Sequence, residues 1–157
     1  MTRTSMWRAV LLLAVSVAVL VGPVAGASAS KASIKAALKS YSGQVDQAEG
    51  GVLTALGAYK TSKDPAPVDA ALGKSVTVLK ALKAKIAKQS APSSKIKTAK
   101  TKLLKGIGAV IVAYEHLGTA FSDHGTDQPA AEAEAKAALV KVKAGQKELK
   151  EAAKLLS

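Results

Sequence analysis

Between residues 31 and 156, apolar side chains return at alternating spacings of four and three, in four long segments separated by turn-forming residues. A stripe with that period covers one face of an α-helix and cannot cover one face of a strand. The first segment spans roughly 31–61. Its seam is Ile34, Leu38, Tyr41, Val45, Ala48, Val52, Ala55 and Tyr59, widened by Leu53 and Leu56. The second spans roughly 67–90, with Val68, Leu72, Val76, Leu79, Leu82 and Ile86 inward, and Asp64 placed to cap it. The third spans roughly 94–122, with Ile96, Leu103, Leu104, Ile107, Val110, Ile111, Tyr114, Leu117 and Phe121. The fourth spans roughly 129–156 behind the cap residue Asp127, and its seam is mostly alanine (Ala131, Ala135, Ala138 and Ala152, with Leu139, Val142, Leu149 and Leu156). That segment is the weakest of the four: with Gly145 at a core position it packs close and buries little apolar area.

Nothing alternates at period two for long enough to argue for a strand, so the fold class is all-α. Four helices of similar length, each about 36–45 Å long at 1.5 Å per residue and joined by short breaks, pack as sequential neighbours. The expected architecture is an up-down-up-down antiparallel four-helix bundle over residues 30–157. The chain has no cysteine, so side-chain packing alone holds it together.

Residues 1–29 carry a different pattern. Arg3 and Arg8 precede an apolar run from Ala9 to Val21 broken only by Ser16, and Gly22-Pro23 ends it. Small residues then fill Val24 to Ser30. This is the pattern of a cleaved signal peptide, with the cut after Ala27 or Ala29. The run is shorter than the ~17–25 residues of a membrane-spanning helix, which argues against a retained anchor. The expected location is secreted, in the extracellular space or the cell envelope.

The inventory for catalysis is thin. There is no cysteine nucleophile, and both methionines and both arginines lie in the first 29 residues. His116 and His124 belong to no metal-binding or haem-attachment spacing. The loop from Asp123 departs from a calcium-binding frame at Gly125 and Gln128. His116 reads as a surface or rim side chain and His124 as a solvated loop residue. The expectation is a protein that is not an enzyme and holds no cofactor and no metal.

Charge is the more specific signal. The 23 cations less those two arginines leave 21 lysines against 11 acids, a formal +10 after residue 29. No acid occurs from 70 to 114, and nine lysines flank the second turn: Lys80, Lys83, Lys85, Lys88, Lys95, Lys97, Lys100, Lys102 and Lys105. In an up-down bundle this turn adjoins the start of the first helix and the end of the fourth, which add Lys31, Lys35, Lys39 and five more lysines. One pole then holds 17 lysines against Glu148 and Glu151, and the other four lysines against nine acids.

Lysines near a helix C-terminus complement its dipole, but Lys95, Lys97, Lys100 and Lys102 crowd a helix N-terminal half, where cations are disfavoured. An anionic partner that neutralises them is expected at these nine lysines: a cell-surface polymer or membrane headgroups. Lysine without arginine attracts polyanions but reads bases poorly, so no specific nucleic-acid recognition is expected. The alternative is a protein-interaction or cargo-binding bundle. It would use the face of Gly43, Gly50 and Gly57 on the first helix, or the alanine-lined fourth helix, to accept a protein partner or an apolar molecule.

Overall fold

The apolar period winds each of the four segments into a helix, and the breaks fall where proline, aspartate and serine interrupt it. The structure, a computed structural model, describes residues 29–157 apart from Gly125. The four helices are α1 (Ala29–Ser62), α2 (Ala66–Ala87), α3 (Ser94–Asp123) and α4 (Gln128–Leu156), with no strand among the described residues. The described residues form an all-helical structure, consistent with a four-helix bundle. The segment read as a signal peptide lies outside the described residues except for Ala29, the first residue of α1.

The starts of α2, α3 and α4 have local causes. The Ser93 hydroxyl accepts the Ile96 N–H at 3.3 Å to open α3, and the Asp127 carboxylate accepts the Ala130 N–H at 3.0 Å to open α4. Pro65 occupies the cap position of α2 and brings no side-chain acceptor. Asp64, one residue earlier, accepts the Ala66 N–H instead, at 3.0 Å. The helix ends at Ala87, three residues short of the expected boundary. Pro92 drives the residue before it towards extended backbone, so the chain must leave the helix before Ala91.

The buried face of α2 is Val68, Leu72, Ser75, Leu79, Leu82 and Ile86. Ser75, 2 % exposed, takes the inward position expected of Val76, which is half-buried. Its hydroxyl donates to the Ala71 carbonyl at 3.1 Å, so the buried group is satisfied within the helix. Leu56 joins the core as expected, whereas Leu53 is 44 % exposed. It projects about 100° round α1 from Val52, beyond the buried arc.

Pairs across the helices fix their register. Between α2 and α3, Lys80 Nζ lies 3.0 Å from Glu115 Oε1, and Ser122 donates to Asp69 at 3.1 Å. Between α3 and α4, Lys102 Nζ lies 3.2 Å from Glu148 Oε2, and His116 Nδ1 lies 2.5 Å from Glu134 Oε2. In both sets the paired positions rise on one helix as they fall on the other. The helix α3 packs against α2 on one side and, most closely, against α4 on the other, while α1 rests mainly on α2. Lys31 Nζ donates to the Ser157 carbonyl and ties the start of α1 to the end of α4.

The alanine-rich fourth helix, expected to be the weakest, makes the closest of these pairings. Ala131, Ala135, Ala138 and Ala152 are all buried. Small side chains let two helix backbones approach, and the closeness offsets the small area each alanine covers.

Candidate functional site

The nine lysines separate into three groups once their neighbours are known. Lys80, Lys102 and Lys105 are paired. Lys80 meets Glu115, both well exposed, and Lys105 Nζ lies 3.4 Å from Glu148. Lys102 sits between Glu148 and Glu151. Its hydrogen bonds to Glu151 and Glu148 raise its own pKa, and in return hold both carboxyls below their ordinary value.

Lys83 and Lys100 lie along backbone. Lys83 Nζ stretches over Gly108, 3.0 Å from where a Cβ on that residue would stand. Lys100 Nζ donates to the carbonyls of Ala87 and Gln89, at 2.6 Å each. This corrects the reading that helix electrostatics cannot account for Lys100. It stands in the N-terminal half of its own helix but complements the C-terminal end of the neighbouring one.

Lys85, Lys88, Lys95 and Lys97 form the third group. All four are exposed, and none of their ammonium groups has a carboxylate or other partner among the described residues. Lys85 stands on the last turn of α2, Lys88 is the first residue of the six-residue turn from 88 to 93, and Lys95 and Lys97 stand on the start of α3. The structure therefore divides the predicted site. Lys100 and Lys102 have internal work, and the turn keeps the free cations.

Lys35 belongs to the same basic pole but not to the nine lysines of the expected site. Its Nζ is shielded from solvent with no hydrogen-bond partner, and its pKa is lowered first by that burial and then by the charge of Lys31. The sequence carried the signal in Lys31, Lys35 and Lys39, a cation every fourth residue on one face of α1.

Nearer the middle of the helices two titratable groups are embedded. The half-buried carboxyl of Glu49 adjoins a crevice lined by Ser75, Leu79 and Tyr114, without room for a water molecule. Its Oε1 has no hydrogen-bond partner. Burial, and then the charge of Asp46, push its pKa up to about 7. Tyr114 is pushed up as well, by burial first and by Glu49 second.

Both histidines have partners. His116 pairs with Glu134, close to the rim position expected of it. His124 is not a solvated loop residue: its Nδ1 lies 3.2 Å from the Tyr59 hydroxyl, and its ring stands edge-on to Tyr59 with centroids 6.2 Å apart. Tyr59 in turn packs edge-on against Phe121 at 5.0 Å. An aromatic contact thus holds the α3–α4 turn against α1. No group of three or more metal-ligating side chains occurs among the described residues, and no helix there is long and apolar enough to cross a membrane.

The two surfaces considered for a protein partner or cargo fare differently. The alanine face of α4 is occupied by α3 and is closed to another helix. The line of Gly43, Gly50 and Gly57 is exposed, and a Cβ at any of them would meet nothing within 4 Å. Beside that line, a groove of about 740 Å³ opens between α1 and α2, with Ala48 and Gly51 on one wall and Ala71, Gly73, Lys74 and Val78 on the other.

Compared with models of known families, with curated proteins and with solved structures, the chain matches none. The functional reading rests on its own residues.

Proposed function

We propose that this is an exported, non-enzymatic helical bundle that adheres to an anionic surface through the turn between α2 and α3. In this reading residues 1–29 are a signal peptide, and the helices run up-down-up-down, which the opposed register of the α2–α3 and α3–α4 pairs supports. The observation that carries it is the group of Lys85, Lys88, Lys95 and Lys97. Four exposed cations stand in and beside this turn with no carboxylate partner among the described residues, next to the Lys31, Lys35 and Lys39 face of α1. Like charges gathered at one end repel, and screening over ~8–10 Å only softens this. An anionic polymer or headgroup layer relieves the repulsion and releases its own counterions.

The test is co-sedimentation with anionic phospholipid vesicles and, separately, with purified anionic cell-wall polymer. Binding should be present at low salt and lost by about 0.5 M salt, where screening is nearly complete. Replacing Lys85, Lys88, Lys95 and Lys97 by glutamine should weaken binding and flatten its salt dependence while stability holds. Absence of binding to both at low salt, or binding indifferent to salt, refutes the reading. The two arms separate a membrane from a polymer as the surface.

A further inference from the structure

The groove between α1 and α2 lies away from the basic turn and is unexplained by adhesion. Five glycines occupy the interiors of these two helices: Gly43, Gly50, Gly51, Gly57 and Gly73. Each costs about 0.8–1 kcal/mol of helix stability relative to alanine. A Cβ at any of them would meet nothing within 4 Å, so packing within the chain requires none of them. Gly51 and Gly73 are the two that line the groove, and side chains there would stand in it.

What remains in the groove has a definite chemistry. Ala48, Ala71 and Val78 give it an apolar lining. Lys74 is the one charged lining residue and has no partner among the described residues. Gln44 and Gln47 from α1 supply amides at the same opening. The volume, about 740 Å³, is that of a pocket for one small molecule. Three small apolar side chains fall well short of the area a stably docked helix buries, which argues against a protein occupant.

We propose that the α1–α2 groove binds one small anionic amphiphile, its apolar body on Ala48, Ala71 and Val78 and its acidic head on Lys74. The two glycines keep the groove open, and Lys74 selects the sign of the head. This lysine stands on the acid-rich end of the molecule, so a ligand drawn to it is distinguishable from one drawn to the basic turn.

Two fluorescent probes test this: 8-anilinonaphthalene-1-sulfonate, which is anionic, and uncharged N-phenyl-1-naphthylamine. The protein should bind one molecule of either, displaced by dodecanoate. Gly51→Leu with Gly73→Leu fills the groove using a better helix former, so the helices should hold, and binding of both probes should fall at least about tenfold. Lys74→Gln should weaken the sulfonate by roughly three- to tenfold, the scale of a half-exposed ionic contact, and leave the neutral probe unchanged. Undiminished binding in the leucine variant overturns the proposal, as does an equal loss of both probes in Lys74→Gln. Loss of sulfonate binding in the variant lacking Lys85, Lys88, Lys95 and Lys97 overturns it too, since that result puts the anion at the basic turn.

Discussion

Gly106 of α3 and Gly145 of α4 meet backbone to backbone. A Cβ on Gly145 would stand 3.0 Å from the Gly106 carbonyl oxygen, and one on Gly106 would stand 2.7 Å from Leu149 and 3.1 Å from the Gly145 carbonyl oxygen. This crossing lets the alanine seam of α4 come close enough to bury itself, and the tightest helix pair of the protein is organised around it.

Glycines in this chain should therefore respond to substitution with opposite signs. Gly145→Ala and Gly106→Ala gain helix propensity but force two backbones or a core leucine apart, for a net loss of about 1–2 kcal/mol. Gly43→Ala and Gly57→Ala enter open space and should stabilise by about 0.5–1 kcal/mol each. Urea unfolding followed by circular dichroism measures all four, and the same sign at both pairs would contradict the crossing.

Glu49 should make stability fall as pH rises. Its pKa is about 7 in the folded chain against an ordinary 4.5, so between those values the folded state keeps a proton that the unfolded state has lost. The contribution is complete below about pH 4.5, declines to about pH 7 and is flat beyond. Asp46 on its own helix and Tyr114 on α3 are the titratable groups that face it, and neither supplies a positive charge. Glu148 and Glu151, held low by Lys102, act with the opposite sign at more acid pH. Subtracting the stability profile of Glu49→Gln from that of the parent isolates the Glu49 slope. A difference that is flat between pH 4.5 and 7 refutes it.

Lys97 and Lys100 lie three residues apart and should behave differently. Lys97→Gln removes an exposed cation with no side-chain partner among the described residues and should leave stability within about 0.5 kcal/mol. Lys100→Gln removes the donor to the Ala87 and Gln89 carbonyls at the end of α2 and should cost about 1 kcal/mol. Chemical denaturation of the two single variants decides between them, and equal effects would remove the capping role.

If the chain is processed as proposed, mass spectrometry of exported protein should find Ser28 or Ser30 at its N-terminus. A cut after Ala27 leaves α1 whole, and one after Ala29 removes only its first residue. Recovery of intact Met1 in the exported fraction would reject the signal reading.

The helices were legible because their signal is local. The boundaries expected for the first, third and fourth lie within two residues of those found, and Asp127 caps where it was expected to. Ser75 escaped notice because hydropathy assigns a hydroxyl to the surface, and only the turn above it, through the Ala71 carbonyl, makes its burial tolerable. The position of His124 depends on Tyr59, 65 residues away, which no local pattern reports.

The same division governs the lysines. Sequence by itself determined that four amphipathic helices form, which faces turn inward, and that cations crowd the turn between α2 and α3. Only the tertiary structure decided that Lys100 caps a neighbouring helix, that Lys102 lies between two carboxylates, and that the side chains of Lys85, Lys88, Lys95 and Lys97 find no partner among the described residues. The period of a helix is set within a few residues along one chain segment. Whether a charge is neutralised, or a groove left open beside Gly51 and Gly73, is set by the register and spacing between helices, which depend on every side chain at the interface at once.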